Sequence, residues 1–218
     1  MPRFAVVLSG CGRADGSEIH ESVSALLAID KAGCTYQCFA PNIAQAAVIN
    51  NLTMEKMDEQ RNVLVESARI ARGDVKNLNE FDVSDFECII FPGGLGAITN
   101  WCDFAQKGVA CDVNSSVSRA LKDSYENGLV IGAMCIAPVI VAKVLGKHGI
   151  TVTIGNDKTV AGKIEQTGAK HQETKVTDAC VDETNLIVTT PAYMLASSIK
   201  EVFAGAENMV NEMVRLAQ

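Results

Sequence analysis

The sequence predicts an α/β fold with a mostly parallel sheet, and two observations support this class. Short apolar segments alternate along the chain with segments of helical period, the order produced by parallel strands joined by crossover helices. Residues 88–91 and 129–134 are apolar almost without interruption, as in strands covered by helices on both faces. We expect one domain over residues 1–218, because a chain of this length fits a single core.

The first part of the chain contains three predicted strands and two predicted helices. The strands are residues 4–8, 35–40 and 88–91, and the helices are residues 19–31 and 62–72. Asp15 is predicted to cap the first helix, with Glu18 as its capping-box partner, because these side chains would satisfy the free amides of the first turn. The polar segment 50–61 is predicted to be an insertion outside the core.

The second part of the chain continues the alternation and ends in a hairpin and a helix. Helices are predicted at residues 116–126, 136–145 and 160–166, and strands at residues 129–134 and 151–154. Residues 181–190, interrupted at Glu183-Thr184-Asn185, predict a small late β-hairpin. Thr190 and Pro191 are predicted to be the cap and first residue of a long C-terminal helix.

Charge and composition make several classes of partner and site improbable. The net charge of −7, with only 19 Lys and Arg residues, gives no basic surface for a nucleic acid. No apolar run approaches the length of a membrane span, and Met1-Pro2-Arg3 leads directly into a strand, so we expect a cytoplasmic protein that does not bind membranes. The eight cysteines show no zinc-ligand spacing, so no metal site is expected.

Cys135 stands where an apolar strand is predicted to end and an apolar helix to begin. A nucleophile in such a strained turn needs small residues two positions before and after it, and Ala133 and Ala137 occupy these positions. The helix N-terminus would favour the thiolate over the thiol. We therefore predict that Cys135 is a reactive nucleophile, with a buried core thiol as the alternative.

Two further segments carry groups that fit a nucleophilic site. Pro92-Gly93-Gly94 ends the strand at residues 88–91, and its glycine amides, together with the Ile136 amide, could hold an oxyanion. Glu18 and Glu21 lie three residues apart and share a face of the first helix. A desolvated carboxyl there would have a raised pKa and could relay a proton, although Glu18 also has a capping role available.

The loop after the first strand lies at the same edge of the sheet, where ligands bind in open α/β folds. Cys11 and Gly12 could therefore line a pocket, although a tight turn accounts for both equally well. Arg13 could bind a carboxylate or be a solvated loop cation. His20 and His171 could each enter the cleft.

Five segments resemble motifs of the PfpI-like proteins, relatives of the glutamine amidotransferases, and most closely those of the ElbB family. They are Leu8-Ser9-Gly10-Cys11-Gly12, Asp15-Gly16-Ser17-Glu18-Ile19-His20-Glu21, Pro92-Gly93-Gly94, Met134-Cys135-Ile136-Ala137-Pro138 and Val188-Thr189-Thr190-Pro191-Ala192. The resemblance implies a flavodoxin-like three-layer sandwich that commonly assembles as a homodimer. It also implies that Cys135 is the nucleophile and Glu21 the active-site acid, with oxyanion donors at Gly94 and Ile136.

The chain departs from the superfamily pattern in one respect. Many members carry a histidine at the end of the strand after the cysteine, where this sequence has Gly155-Asn156-Asp157. Without that base, amide hydrolysis lacks an obvious means of protonating the leaving amine. Aldehyde chemistry needs only one acid or base near the sulfur.

The activity implied by the resemblance is a cysteine-dependent glyoxalase that needs neither glutathione nor a metal, and no cofactor is expected. Glyoxal would add to Cys135 as a hemithioacetal, Glu21 would relay a proton, and hydrolysis would release glycolate. Two alternatives remain: a non-enzymatic stress-response protein that senses oxidants through Cys135, and an accessory protein of isoprenoid biosynthesis.

Overall fold

The computed structural model describes all 218 residues, which form eleven strands and eight α-helices. The strands are β1 (Arg3–Val7), β2 (Thr35–Ala40), β3 (Val48–Ile49), β4 (Lys56–Met57), β5 (Val75–Asn77), β6 (Cys88–Phe91), β7 (Val130–Met134), β8 (Thr151–Val152), β9 (Lys170–His171), β10 (Cys180–Asp182) and β11 (Ile187–Thr190). The helices are α1 (Ile19–Lys31), α2 (Val63–Ile70), α3 (Gly96–Thr99), α4 (Phe104–Lys107), α5 (Ser115–Glu126), α6 (Pro138–Leu145), α7 (Lys158–Glu165) and α8 (Ile199–Leu216). None of these helices has both the length and the apolar character that spanning a bilayer requires.

Seven strands form the central sheet in the order β10-β11-β7-β6-β1-β2-β5. Every neighbouring pair is parallel except β10 and β11, which form the antiparallel hairpin at one edge. The predicted α/β class, with a mostly parallel sheet and a small late hairpin, is therefore confirmed. Phe91 pairs with Ala133, and Met134 with Thr190, so β6, β7 and β11 end side by side.

Helices cover both faces of the central sheet. The crossovers place α1, α2 and α8 on one face, where α1 packs on α8, and place α5 and α6 on the other. Ile29 and Met213 are fully buried beneath the first layer, and Leu121 and Ile140 beneath the second. These side chains belong to one cluster of buried apolar residues, whose removal from water is the main favourable contribution to folding.

Most predicted elements lie where the sequence placed them, and the exceptions are short. The helix at 19–31 and the strands at 35–40 and 88–91 have the predicted bounds. The edge strand β5 was not predicted, because its three residues carry no apolar alternation. The strand predicted at 151–154 is only Thr151–Val152, and it pairs with β9 outside the central sheet.

The predicted cap of α1 is wrong by three residues. Glu18, and not Asp15, is the N-cap, and its Oε2 accepts a hydrogen bond of 2.8 Å from the Glu21 amide. Asp15 is buried and accepts a hydrogen bond of 2.9 Å from the Ile49 amide. It thereby ties the loop after β1 to the β3–β4 hairpin, which lies outside the central sheet, as predicted for the insertion.

The predicted start of the C-terminal helix is also wrong. After β11 the chain forms a 3-10 turn at Ala192–Met194, and α8 begins only at Ile199, with Ser198 as its cap. Ala192 has a positive φ of 44°, which turns the chain away from a helical path. The intervening segment crosses the carboxyl ends of the strands, where it contacts the side chain of Glu21.

Candidate active site

Cys135 lies in a sharp turn between the end of β7 and the start of α6. Its φ is 60°, a left-handed conformation that is uncommon for a residue with a side chain and is often found at functional turns. Ala133 and Ala137 are fully buried on either side of it, which fits the small residues that the turn requires. The Cys135 amide donates a hydrogen bond of 3.0 Å to the Thr190 carbonyl and so anchors the turn to β11.

Glu21 extends from the first turn of α1 into the same space and is 0% exposed. Its Oε1 accepts a hydrogen bond of 3.1 Å from the Tyr193 amide, whereas Oε2 lacks a partner of good geometry. The Cys135 thiol and the Gly93 amide approach this carboxyl and favour its ionised form. Glu21 is therefore held beside the sulfur with one oxygen left to exchange a proton.

Burial controls the protonation of the Cys135–Glu21 pair. Desolvation raises the pKa of Glu21 from its ordinary 4.5 to about 7. Burial, and then the charge of the Glu21 carboxylate, raise the pKa of the Cys135 thiol well above its ordinary 9.0. This direction is opposite to the low thiol pKa expected from the helix N-terminus, because α6 begins only at Pro138 and burial dominates.

The glycine loop after β6 places its backbone against both side chains. The amides of Gly94 and Ile136 point toward the Cys135 sulfur, where they favour negative charge. The Gly93 amide instead faces the Glu21 carboxyl. The structure therefore does not place it with the expected oxyanion donors. A Cβ at Gly93 would lie 2.5 Å from Glu21 Oε2 and 3.0 Å from the Cys135 sulfur, so this position requires glycine.

A cavity of about 440 Å³ opens over the cysteine. It is lined by Arg13, Glu18, His20, Gly94, Leu95, Ile98, Cys135, Ile136, Tyr193 and Met194. Most of this surface is apolar, with a few polar groups near the cysteine, as is usual for small-molecule sites. The cavity therefore provides room for a ligand next to the sulfur.

Tyr193 is the polar site residue that the sequence did not single out. Its amide holds Glu21, and its hydroxyl lies 2.7 Å from His20 Nδ1 at the rim of the cavity. Residues 191–194 directly follow a strand end at the ligand-binding edge, and this was the signal available in the sequence. The prediction of a helix there obscured it.

The remaining candidate residues divide between the cavity and other places. Glu18 and His20 line the cavity, although Glu18 also caps α1. Cys11 and Gly12 do not line it: burial raises the pKa of the Cys11 thiol near Glu66 and Arg69, and Gly12 packs against Asp15 and Asn51. Cys11 therefore lies beside α2, and Gly12 lies beside Asn51 of the insertion.

His171 lies away from the cavity, on the small β8–β9 sheet. Its Nε2 accepts a hydrogen bond of 3.3 Å from the Ile154 amide, and burial lowers its pKa. No group of three or more His, Cys, Asp or Glu side chains is arranged to hold a metal ion.

Two curated relatives match almost the entire chain. The human "Glutamine amidotransferase-like class 1 domain-containing protein 3, mitochondrial" is 42% identical over 224 residues, covering 98% of this chain and 83% of that protein. The rat "ES1 protein homolog, mitochondrial" is 41% identical, with coverage of 98% and 84%. No family model matches the chain.

Solved structures share the fold over the same length. An isoprenoid biosynthesis protein with an amidotransferase-like domain from Ehrlichia chaffeensis is 34% identical, with a TM-score of 0.95 and full coverage of both chains. A ThiJ/PfpI domain protein from Brachyspira murdochii is 15% identical, with a TM-score of 0.59 and coverage of 98% and 94%. The second likeness shows the fold alone, which is that of the ThiJ/PfpI proteins.

The relatives correct one expectation and identify the family. Both curated proteins carry the word mitochondrial in their names, which contradicts the expected cytoplasmic location. That expectation rested on the absence of an apolar run long enough to span a membrane, which does not distinguish the cytoplasm from the mitochondrion. With relatives this similar over nearly its entire length, the chain belongs to the glutamine amidotransferase-like class 1 domain proteins, the family of the ES1 proteins.

Proposed function

We propose that this protein is a cysteine-dependent glyoxalase of the ElbB type, which converts small 2-oxoaldehydes to 2-hydroxy acids without glutathione. The observation that supports this proposal is the buried pair of Cys135 and Glu21, with one carboxyl oxygen free beside the sulfur and a cavity above it. A carboxyl with a pKa of about 7 can both accept and return a proton at neutral pH, as an isomerisation requires.

In the first step the sulfur adds to the aldehyde carbon. Glu21 takes the thiol proton as the S–C bond forms, which overcomes the raised pKa of Cys135 at the moment of attack. The C=O π electrons move to oxygen, which the amides of Gly94 and Ile136 stabilise. Return of the proton to this oxygen gives the hemithioacetal.

In the second step a proton moves between the two substrate carbons. Glu21 removes the hydrogen of the sulfur-bearing carbon, an enediol forms, and protonation of the neighbouring carbon leaves a thioester. Water then hydrolyses the thioester and regenerates the thiol. One carbon is oxidised and the other reduced, so the conversion of glyoxal and water to glycolate needs no external oxidant.

The test is glycolate formation from glyoxal by the purified protein. Cys135→Ala should abolish it, and Glu21→Gln should lower kcat by a factor of about 100 or more, because positioned acid–base catalysis contributes on that scale. Cys34→Ala, which removes another buried thiol at the opposite end of the sheet, is the control. Turnover that persists in Cys135→Ala would disprove the proposal.

Two other functions are compatible with membership of this family. The Ehrlichia chaffeensis structure is described as an isoprenoid biosynthesis protein, which favours an accessory role in that process. Copurification of a prenyl-synthesising enzyme, with no turnover of any aldehyde, would support this role. Stoichiometric oxidation of Cys135 by peroxide without turnover would instead favour an oxidant sensor.

We also propose that the protein acts as a homodimer. Ile19, Val23 and Leu27 form a stripe along α1 and are each more than 40% exposed. Val23 and Leu27 border a shallow cleft with Ile199 and Phe203 of α8. An apolar patch of this kind on a surface typically marks a protein–protein contact.

A further inference from the structure

The cavity over Cys135 is much larger than glyoxal. The four non-hydrogen atoms of glyoxal occupy roughly the volume of two waters, about 60 Å³, whereas the cavity measures about 440 Å³. Volumes above about 300 Å³ are typical of sites for considerably larger ligands. A two-carbon substrate would leave most of the space to water.

One wall of this cavity is apolar and reaches away from the cysteine. It is formed by Leu95 and Ile98 after the glycine loop, and by Ile136 and Met194. Leu95 is 41% exposed, so its side chain offers apolar surface that no other part of the chain covers. An apolar substituent on the substrate would bury this surface, and the removal of apolar area from water would strengthen binding.

Arg13 is the one charged side chain of the lining that is free to bind an anion. Glu18 is a carboxyl group and offers no anion site, and His20 is hydrogen-bonded to Tyr193, whereas Arg13 forms no ion pair. Its side chain donates only to the Met54 sulfur, a weak acceptor, at 3.2 Å. A carboxylate would be a far stronger partner for the guanidinium.

The backbone around Arg13 is fixed from two sides. Its carbonyl accepts a hydrogen bond of 2.9 Å from the Leu95 amide, and the next amide, of Ala14, donates to Asn51 of the insertion at 3.1 Å. The backbone of Arg13 is therefore held directly against Leu95, which belongs to the apolar wall. Cation and wall together form the outer part of the cavity.

We infer that the substrate is a 2-oxoaldehyde with an aliphatic chain of several carbons that ends in a carboxylate. The aldehyde lies at Cys135, the chain on Leu95 and Ile98, and the carboxylate at Arg13. This inference rests on the proposed glyoxalase activity and adds to it the class of substrate.

The experiment compares kcat/KM for glyoxal, 2-oxoheptanal and 6,7-dioxoheptanoate. The last two have the same seven-carbon chain and differ only in a terminal methyl group or carboxylate. We expect 2-oxoheptanal to exceed glyoxal by at least about tenfold, because buried methylenes add to transition-state binding. The carboxylate should add a further factor of about ten through its charged hydrogen bonds.

Two pairs of variants assign these effects to residues. Arg13→Gln should reduce the preference for 6,7-dioxoheptanoate over 2-oxoheptanal to near parity, while Arg72→Gln, at an exposed arginine far from the cavity, should keep it. Leu95→Ala should reduce the preference for 2-oxoheptanal over glyoxal by a factor of about three or more. Leu52→Ala, at a residue 92% exposed, should keep it.

The outcomes separate this inference from the proposed function. If glyoxal is the best substrate, or if Arg13→Gln retains the preference for the carboxylate, the substrate class is wrong and the glyoxalase activity stands. If no aldehyde is turned over, the proposed function fails, and calorimetry with the product 2-hydroxyheptanedioate decides the ligand class. Binding at least about tenfold weaker to Arg13→Gln would support the class, and equal binding would overturn it.

Discussion

At the scale of single residues, Cys135 and Glu21 are buried side by side, where desolvation and mutual repulsion disfavour charge on both at once. Burial raises the pKa of each group, so the thiol keeps its proton, while Glu21, with a pKa of about 7, is divided between its protonated and ionised forms near neutral pH. Gly93 packs against both side chains, and because it has no Cβ the thiol and the carboxyl can approach each other. The chemistry therefore depends on three residues from three different segments of the chain.

The buried carboxyl of Glu21 should make stability depend on pH. Between its ordinary pKa of 4.5 and its native pKa of about 7, the folded protein keeps a proton that the unfolded chain has released. The unfolded state then binds fewer protons, so the free energy of unfolding falls as pH rises through this interval. At about 1.4 kcal/mol per pKa unit, Glu21→Gln should gain about 3 kcal/mol over wild type between pH 4 and pH 8.

Urea unfolding of both proteins at several pH values measures this gain. Glu126→Gln, at an exposed position at the end of α5, is the control for removing a carboxyl that is not buried. A Glu21→Gln curve parallel to wild type would show that folding does not raise the pKa of this carboxyl.

Gly93→Ala tests the close approach of Cys135 and Glu21. The added methyl group would contact Glu21 and Cys135, so we expect loss of glyoxal turnover and a destabilisation of about 1–3 kcal/mol, as for other overpacked positions. Gly162→Ala in α7, where no atom lies within 4 Å, should instead stabilise the protein slightly and leave turnover intact. Full turnover in Gly93→Ala would contradict the described geometry.

At the scale of elements, the segment between β11 and α8 forms one side of the site. It continues past the sheet as a 3-10 turn and brings the Tyr193 amide to Glu21 before the helix begins. The helix is then capped by Ser198, whose hydroxyl accepts a hydrogen bond of 3.3 Å from the Glu201 amide. The late start of α8 thus leaves room for Tyr193 at the rim of the cavity.

Ser198→Ala tests the observed start of α8. Loss of the cap should lower the free energy of unfolding by about 1 kcal/mol, whereas Ser198→Asn should keep most of it, because asparagine is an equally good cap. Chemical denaturation of the three proteins measures the difference. If the alanine and asparagine variants lose the same stability, the helix is not capped at this residue.

At the scale of the whole molecule, the site lies at the ends of three parallel strands, and the exposed apolar stripe lies on one of the two helical layers. The ends of β6, β7 and β11 meet at one edge of the sheet, and α1 spans from that edge to the far side. The helix that contributes Glu21 on its buried face therefore presents Ile19, Val23 and Leu27 on its outer face. Assembly through this stripe would bring a second copy close to the cavity rim.

The proposed dimer predicts a native mass of twice the 23.2 kDa of the chain. Leu27→Glu, which places a charge in the middle of the stripe, should shift the protein to the monomer mass, because a charge in an apolar contact loses its hydration. Native mass spectrometry or light scattering measures the mass, with Leu52→Glu on the exposed insertion as the control. A monomeric wild-type protein would disprove the dimer, and a dimeric Leu27→Glu would place its interface elsewhere.

The sequence by itself determined the fold class and the position of Cys135 in a strained turn between strand and helix. Apolar segments of the lengths of 35–40 and 88–91 produce strands through local chain geometry, and the small residues around Cys135 indicate its strained turn. The single-domain organisation and the catalytic roles of the site residues remain predictions. The strands and the strained turn could be predicted because both follow from neighbours within a few positions along the chain.

Only the tertiary structure decided which groups surround the sulfur and how they are protonated. Tyr193 reaches Glu21 across 172 positions of sequence, and Cys11 lies near Glu66 and Arg69 of α2, outside the cavity lining. The direction of the thiol pKa was reversed for the same reason, since burial is a property of the packed molecule. Local patterns place a side chain on an element. Its solvent exposure and its contacts are set by segments distant in sequence, because these pack against it only in the folded chain.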